Sequence, residues 1–566
     1  MKASLTILFF VAVAVILAIP SQSFAQAPDT VVIPANPISG PYFNEVIMGD
    51  TTATGQRNNP NRVYVLQQTG STDTVYFYNA TMITNFNVNI VGKINPTTGM
   101  PPVVAPYINP DNSVPSQFIR AGGGKITLKY LYLIATRIDS IYVGGFTVYT
   151  NGDSVTVNLD HCVLEQVDKP IEWHGNGNKL FVTNCEFRNM NNQFWQGNQV
   201  MWAIGGVTVD TVIFDNNTFF LLSRSIIGSP KGIGYFRLNH NTIYLTASGL
   251  LLATQLTNAE ITNNIFYGIS AHAIDSLNAS KGGANNAHEG FGVIMLDTLT
   301  SLLNPPYNFK ESDRNVIVKN NVYFWPKAIT DVWKAYNDTA SVKIIPSLWM
   351  NPQTALMFND KTKWPGLTAA NNDSTDPGFD PVLTGPAVDS LAKFIKLIGW
   401  VSLKNSGNFR WWQKRNNTPF DVVTQVPKNW KDWIGYPVPE NLAYSNTTLQ
   451  SAGTDGKPLG DLNWFPKYLA VDETPDLIPT RFELSQNYPN PFNPTTQINY
   501  SVPQSSFITL KVYNVLGQEV ATLYSGVQTA GKHVATFDAS KYSSGVYFYR
   551  LQSGNFMSVK KMMLLK

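Results

Sequence analysis

Between residues 157 and 323 one pattern of apolar and polar positions returns six times. Each copy places apolar residues at two alternate positions, then a polar pair, then an apolar residue five positions beyond the second. The copies are Val157 to Leu164, Leu180 to Phe187, Val212 to Phe219, Phe236 to Ile243, Ala259 to Phe266 and Val316 to Tyr323, with a degenerate earlier copy at Ile126 to Leu133. Alternation is the signature of a strand with one buried face, but an odd step of five would put the last apolar residue on the opposite face of a straight strand. The chain therefore bends at the polar pair. The second residue of the pair, or its equivalent, is Cys162, Cys185, Asn217, Asn241, Asn264 or Asn321, spaced by 23, 32, 24, 23 and 57 residues. Asparagine tolerates the left-handed backbone that a corner needs, so Asn217, Asn241, Asn264 and Asn321 are assigned to the corner itself. Coils about 4.8 Å apart would stack these amides into a structural ladder. Cys162 and Cys185 share its column with side-by-side Cβ directions, and stacked free thiols are expected in preference to a disulfide.

A repeat of this length and pattern predicts a solenoid of stacked coils. From about residue 115 to 330 the sequence resembles the pectate-lyase-like superfamily, which implies an all-β, right-handed parallel β-helix. Before it, Arg62 to Leu66, Thr74 to Tyr78 and Val88 to Val91 read as strands of an N-terminal cap and first coils, residues 26–115. The repeats themselves are assigned to 116–330. Residues 331–475 lose the repeat and concentrate tryptophan, including Trp333, Trp364, Trp411, Trp412 and Trp464, with a helical spacing from Val388 to Ile398. They are expected to pack on the helix as an irregular extension.

The two ends carry an address. Lys2, the apolar stretch Leu5 to Ile19, Pro20 and the small-residue site Ser23-Phe24-Ala25 have the layout of a signal peptide, residues 1–25. No comparable hydrophobic span follows, so no transmembrane span is expected in the mature chain. Near the other end, four prolines and several asparagines between Phe482 and Thr496 oppose regular structure, and 476–496 is assigned as a linker. Alternating strands then fill 497–566 and predict a small antiparallel β-sandwich. Three segments in order, Leu484 to Thr496, Val512 to Val520 and Ser543 to Leu551, followed by Lys560 to Lys566, resemble the type A C-terminal sorting domain of the type IX secretion system. That resemblance implies Sec export to the periplasm, handling by the type IX translocon and sortase as partners, and release or attachment at the outer cell surface.

Composition narrows the picture further. Charged residues make up 14% of the 566 and the formal net charge is +3, so a disordered chain is excluded and nucleic acid is a poor partner. Two cysteines cannot form a disulfide framework or a four-thiolate zinc site.

The superfamily resemblance implies chemistry on the outer face of one sheet, where lyases and hydrolases use Lys or Arg, carboxylates and often calcium on polysaccharide. In Pro170 to His174, inward Ile171 and Trp173 would turn Glu172 and His174 outward together. Arg224 and Lys231 are placed beside the same groove two coils on, which makes these four the candidate catalytic residues. Ala203 and Leu251 are read as apolar outward positions, which argues for a covered face. Trp411 and Trp412, beside Arg410, Lys414 and Arg415, are candidates for stacking on sugar rings. Asp160 and Asp215 are separated by Thr183 in their column, no motif specifies calcium, and no cofactor or metal is assigned. The expected function is an exported β-helix protein that binds or processes polysaccharide as a lyase or hydrolase would; the alternative is a non-catalytic surface adhesin or structural protein.

Overall fold

The computed structural model describes residues 29–34, 41–379, 441–468 and 482–565, interrupted by segments of which 136–144, 191–199, 247–254, 276–291 and 300–309 are the longest, together with the strand pair 412–413 and 419–420. The predicted signal peptide, the predicted helix at 388–398, and Arg224, Lys231, Leu251 and Trp411 lie outside the described residues. For Trp412 only the backbone is described, in the short antiparallel pairing of Trp412–Gln413 with Pro419–Phe420.

Among the described residues, three parallel sheets of eleven, nine and six strands wrap one elongated core. Each regular coil visits the six-stranded sheet, then the eleven-stranded sheet, then the nine-stranded sheet, as in Lys169–Trp173, Asn178–Thr183 and Glu186–Arg188. Strict register converts the sequence pattern into packed columns. Val88, Ile126, Val157, Leu180, Val212, Phe236, Ala259, Val316 and Leu367 are successive partners in the eleven-stranded sheet, and all nine are 0% exposed. Removing each such side chain from water contributes roughly 1.5–3 kcal/mol, less for alanine, and the columns supply the main drive for stacking coils. The sheet runs from Thr30–Ile33 to Leu367–Ala370, so coils continue past the last recognised repeat. The final strand falls outside the sequence periodicity because α-helices at Lys327–Thr339 and Pro352–Asn359 interrupt it.

The corner between the eleven- and nine-stranded sheets corrects one expectation. The left-handed residue is not the ladder asparagine but the residue before it: Asn216 (φ 60°), His240 (51°), Asn263 (60°) and Asn320 (52°), preceded in the stack by Tyr130, His161 and Asn184. With the backbone turned there, the next side chain enters the interior. Asn217, Asn241, Asn264 and Asn321 are all 0% exposed. Each donates its amide to the Oδ1 of the next, at 2.9, 3.0 and 2.9 Å, and Asn321 continues to Asn372 at 2.8 Å. Each Oδ1 also accepts a main-chain N–H from the preceding rung, and each amide's second hydrogen goes to a carbonyl, as from Asn241 to Phe214 at 2.9 Å. Cys185 and Cys162 extend the column as free buried thiols. The Cys185 main-chain N–H donates to Asn217 Oδ1 at 2.8 Å, and the Cys162 N–H donates to Cys185 Sγ at 3.3 Å.

Residues 441–468 of the Trp-rich region lie across the outside of these corners and the nine-stranded sheet. Asn320 donates to the Ala452 carbonyl (2.7 Å), Asn263 to Thr454 Oγ1 (2.9 Å), His240 Nε2 faces Asp455 Oδ2 (3.2 Å), and Asn216 Oδ1 accepts the Leu462 N–H (2.5 Å). The side chains of the left-handed residues thus hold a strap, and Leu449, Leu459 and Phe465 pack with Phe220, Tyr244 and Tyr267 under it.

The C-terminal residues form a separate unit of antiparallel strands: Glu483–Leu484, Thr495–Val502 and Gly531–Asp538 in one sheet, and Ser506–Tyr513, Glu519–Gln528, Gly545–Ser553 and Phe556–Leu564 in the other. Ile498, Val502, Ile508, Leu510, Val512, Tyr549 and Leu551 build its own core. Residues 482–496 of the Pro/Asn-rich segment expected as a linker are part of this unit. Phe492 is 2% exposed in its core, and Asn487 is held by Tyr549 and Thr496. Prolines bar it from a ladder interior but not from packing.

Candidate functional site

The six-stranded sheet presents a polar and aromatic row on its outer face. Strand alternation sends Ile119, Val148, Ile171, Trp173 and Met201 into the core, which leaves Arg120, Tyr149, Glu172 and Trp202 outside. They are direct partners on four successive rungs. At about 4.8 Å per rung, the row is about 14 Å long.

Two further side chains converge on Glu172. Lys169 Nζ lies 2.9 Å from its Oε2, and His174 Nε2 lies 2.8 Å from its Oε1. The His174 ring rests against Tyr149 with centroids 4.5 Å apart, and the Arg120 guanidinium sits 5.3 Å from the Tyr149 centroid. Arg120 Nε is oriented by Gln117 Oε1 at 2.8 Å. The result is a graded stack, cation on phenol on imidazole on carboxylate, which runs along the helix axis. Glu172 is 7% exposed beneath its partners, so Lys169, His174, Tyr149, Arg120 and Trp202 form the surface that a ligand would meet.

Two features behind the row set its geometry. Trp173 is 0% exposed and shares the inward column with Thr150 and Ala203. Just past His174 the chain turns at Gly175, where an added Cβ would stand 1.9 Å from the Gly152 carbonyl oxygen. Only glycine lets these corners nest, and the nesting keeps the rungs of the row in register.

The structure brings Glu172 and His174 together, 2.8 Å apart. It also overturns the reading of Ala203 as an outward position: Ala203 is 0% exposed and Trp202 faces out. A shift of one residue in phase along a strand sends every side chain to the opposite face, and the pairing of Glu172 with Trp202 fixes the phase here. The covered-face expectation loses its support from Ala203; its other support, Leu251, lies outside the described residues. Arg120, Tyr149, Lys169 and Trp202 were not singled out from the sequence. A signal existed, because Arg120, Tyr149, Glu172 and Trp202 each stand three residues before a glycine, at 123, 152, 175 and 205.

Elsewhere the acidic residues are engaged singly. Asp160 pairs with Lys129 (2.5 Å) and His161 (2.7 Å); burial pushes its carboxyl up, but the Lys129 charge and the contacts with these two side chains outweigh burial and hold it well below the usual range. Asp215 pairs with Arg237 at 3.1 Å, and there burial wins and the carboxyl is raised. Among the described residues, no group of three or more His, Cys, Asp or Glu is arranged to hold a metal ion. None of their helices is long and apolar enough to cross a membrane.

Comparison with known proteins speaks to the other end of the chain. No curated protein matches the sequence. Residues 486–565 match the secretion system C-terminal sorting domain family, the antiparallel unit described above. The β-helix is therefore cargo of the type IX secretion system, a protein secreted or attached at the cell surface by that route.

Proposed function

We propose that this exported β-helix binds polysaccharide along the outer face of its six-stranded sheet, with a preference for anionic chains. The observation that carries the reading is the continuous row Arg120, Tyr149, Glu172 and Trp202, with Lys169 and His174 closing on Glu172. A row parallel to the helix axis suits a linear polymer. The partly buried rings of Tyr149 and Trp202 offer flat apolar faces to sugars, and Arg120 and Lys169 outnumber the one carboxylate among them. Type IX export supports an extracellular ligand. Binding is favoured over catalysis because Glu172 is engaged by two partners and nearly buried, whereas acid/base work on a glycosidic bond calls for a second positioned group.

The test uses the purified full chain on columns of polyuronate, sulfated and neutral glycans. Retention on the anionic glycans, weakened by salt and reduced about tenfold or more in Arg120→Ala or Lys169→Ala, is the expected result. If no glycan is retained, the reading fails and a surface adhesin or structural role takes its place. The same mixtures are followed for new reducing ends and for 4,5-unsaturated uronate absorbance. Either signal, present in the parent and absent in Glu172→Gln, would replace binding by catalysis.

A further inference from the structure

The eleven-stranded sheet has an outer face that the glycan reading does not use. Val212, Phe214, Phe236 and Leu238 point into the core, so Ile213 and Arg237 point out. They stand in one row, with Phe181 before them and Glu260 after. An outward row of a solenoid is normally wet, yet Ile213 is 0% exposed and Phe181 9%.

Arg237 joins this row to the C-terminal unit. Its Nη1 donates to the main-chain carbonyl of Val527 at 3.5 Å, across 290 residues of sequence. The same oxygen accepts the Tyr524 hydroxyl at 2.7 Å. Both residues belong to the strand Glu519–Gln528 at the edge of the four-stranded sheet. Tyr524 is raised first by burial, and the charges of Asp215 and Glu260 add to the rise while Arg237 opposes it. The phenol therefore lies within electrostatic reach of three charged groups of the helix.

We propose that the outer face of the eleven-stranded sheet around Arg237 and Glu260 is the seat of the chain's own sorting domain, occupied by the strand end Tyr524 to Gln528. The arrangement has a physical logic. An edge strand with free main-chain groups is a pairing hazard, and covering it is one remedy; here a guanidinium anchored by Asp215 at 3.1 Å takes a carbonyl near the end of that edge. The contact through Arg237 is small and polar, as suits two units that keep separate cores. Removal of the sorting domain would then open a charged face, Asp215, Arg237 and Glu260, on the mature β-helix, on a different sheet from the glycan row.

The experiment is arginine-directed dicarbonyl labelling of the full-length chain, read by peptide mass spectrometry. Arg237 is expected to label about fivefold more slowly in the parent than in a full-length Tyr524→Ala/Val527→Asp variant. Arg188 and Arg314, which are 0% and 1% exposed, report whether the helix remains folded. Equal labelling of Arg237 in parent and variant, with Arg188 and Arg314 still protected, overturns the proposal. Should the variant unfold, Glu260→Cys with Val527→Cys in the full chain is treated with a short bis-maleimide. An intrachain cross-link supports the seat, and two singly capped cysteines overturn it. Glycan binding is untouched by any of these outcomes.

Discussion

A side chain in the asparagine ladder is worth more than one hydrogen bond because its removal strands its neighbours. Asn241 accepts the Asn217 main-chain N–H and amide, and donates to Phe214 and Asn264. Replacement by alanine leaves several of these groups buried and unsatisfied, and should cost about 2–4 kcal/mol in denaturant unfolding. Its neighbours in the polar pairs behave differently. Asn320 sits at φ 52°, where glycine carries no steric penalty. Asn320→Gly should therefore cost about 1 kcal/mol or less, set by loss of its bond to Ala452. If the alanine and glycine variants unfold alike, the division of labour between turning residue and capping residue is wrong.

The strap 441–468 is an element whose stability depends on pH. Asp461 is 3% exposed. Its Oδ2 accepts the Thr218 hydroxyl at 2.6 Å, and its Oδ1 accepts the Asn463 N–H at 2.9 Å. These donors favour the carboxylate, but burial is stronger and pushes the group up to about 7. In the unfolded chain it titrates near 4. A raised folded value means that the stabilisation is complete below about pH 4 and is lost as the pH rises through about 7. Hydrogen exchange over Leu449 to Phe465 should accelerate between pH 4 and 7 beyond the intrinsic base-catalysed trend, and Asp461→Asn should remove the excess. An excess that survives in the asparagine variant would assign the dependence to another group. By contrast, the His240 contact outweighs burial at Asp455 and holds that carboxyl at about 2, so the Asp455 carboxyl's own titration lies below this window.

Among the described residues, the β-helix and the sorting domain have separate cores, and a further buried cluster lies under the strap. The β-helix has a continuous core that extends from Ile33 to Leu367, and the sorting domain has its own around Leu510 and Tyr549. Two calorimetric transitions are expected. Leu510→Ala, in a fully buried position, should destabilise the sorting domain by about 2–5 kcal/mol and shift only its transition. A single transition that moves as one in this variant would mean that the domains unfold together. The slender connection proposed through Arg237 and Val527 is consistent with separate melting.

Much of this was legible in the residues themselves. Alternation, the odd step at the polar pair and the recurring asparagines specify coils, corners and a ladder, because backbone geometry is local and the same solution is repeated rung after rung. The sorting domain was legible for the same reason, as strands with marked turns. What the sequence did not decide is what lies beside what. Whether Asn216 or Asn217 turns the chain, and whether Trp202 or Ala203 faces out, depends on one residue of phase that only the register of neighbouring rungs settles. The capture of residues 452–462 by left-handed corners more than a hundred residues earlier, and the alignment of Arg120 and Tyr149 with Glu172 and its partners Lys169 and His174, are products of stacking. Local preference wrote the coils, and only the tertiary structure, by setting distant rungs a few ångströms apart, made a strap and a candidate binding face of them.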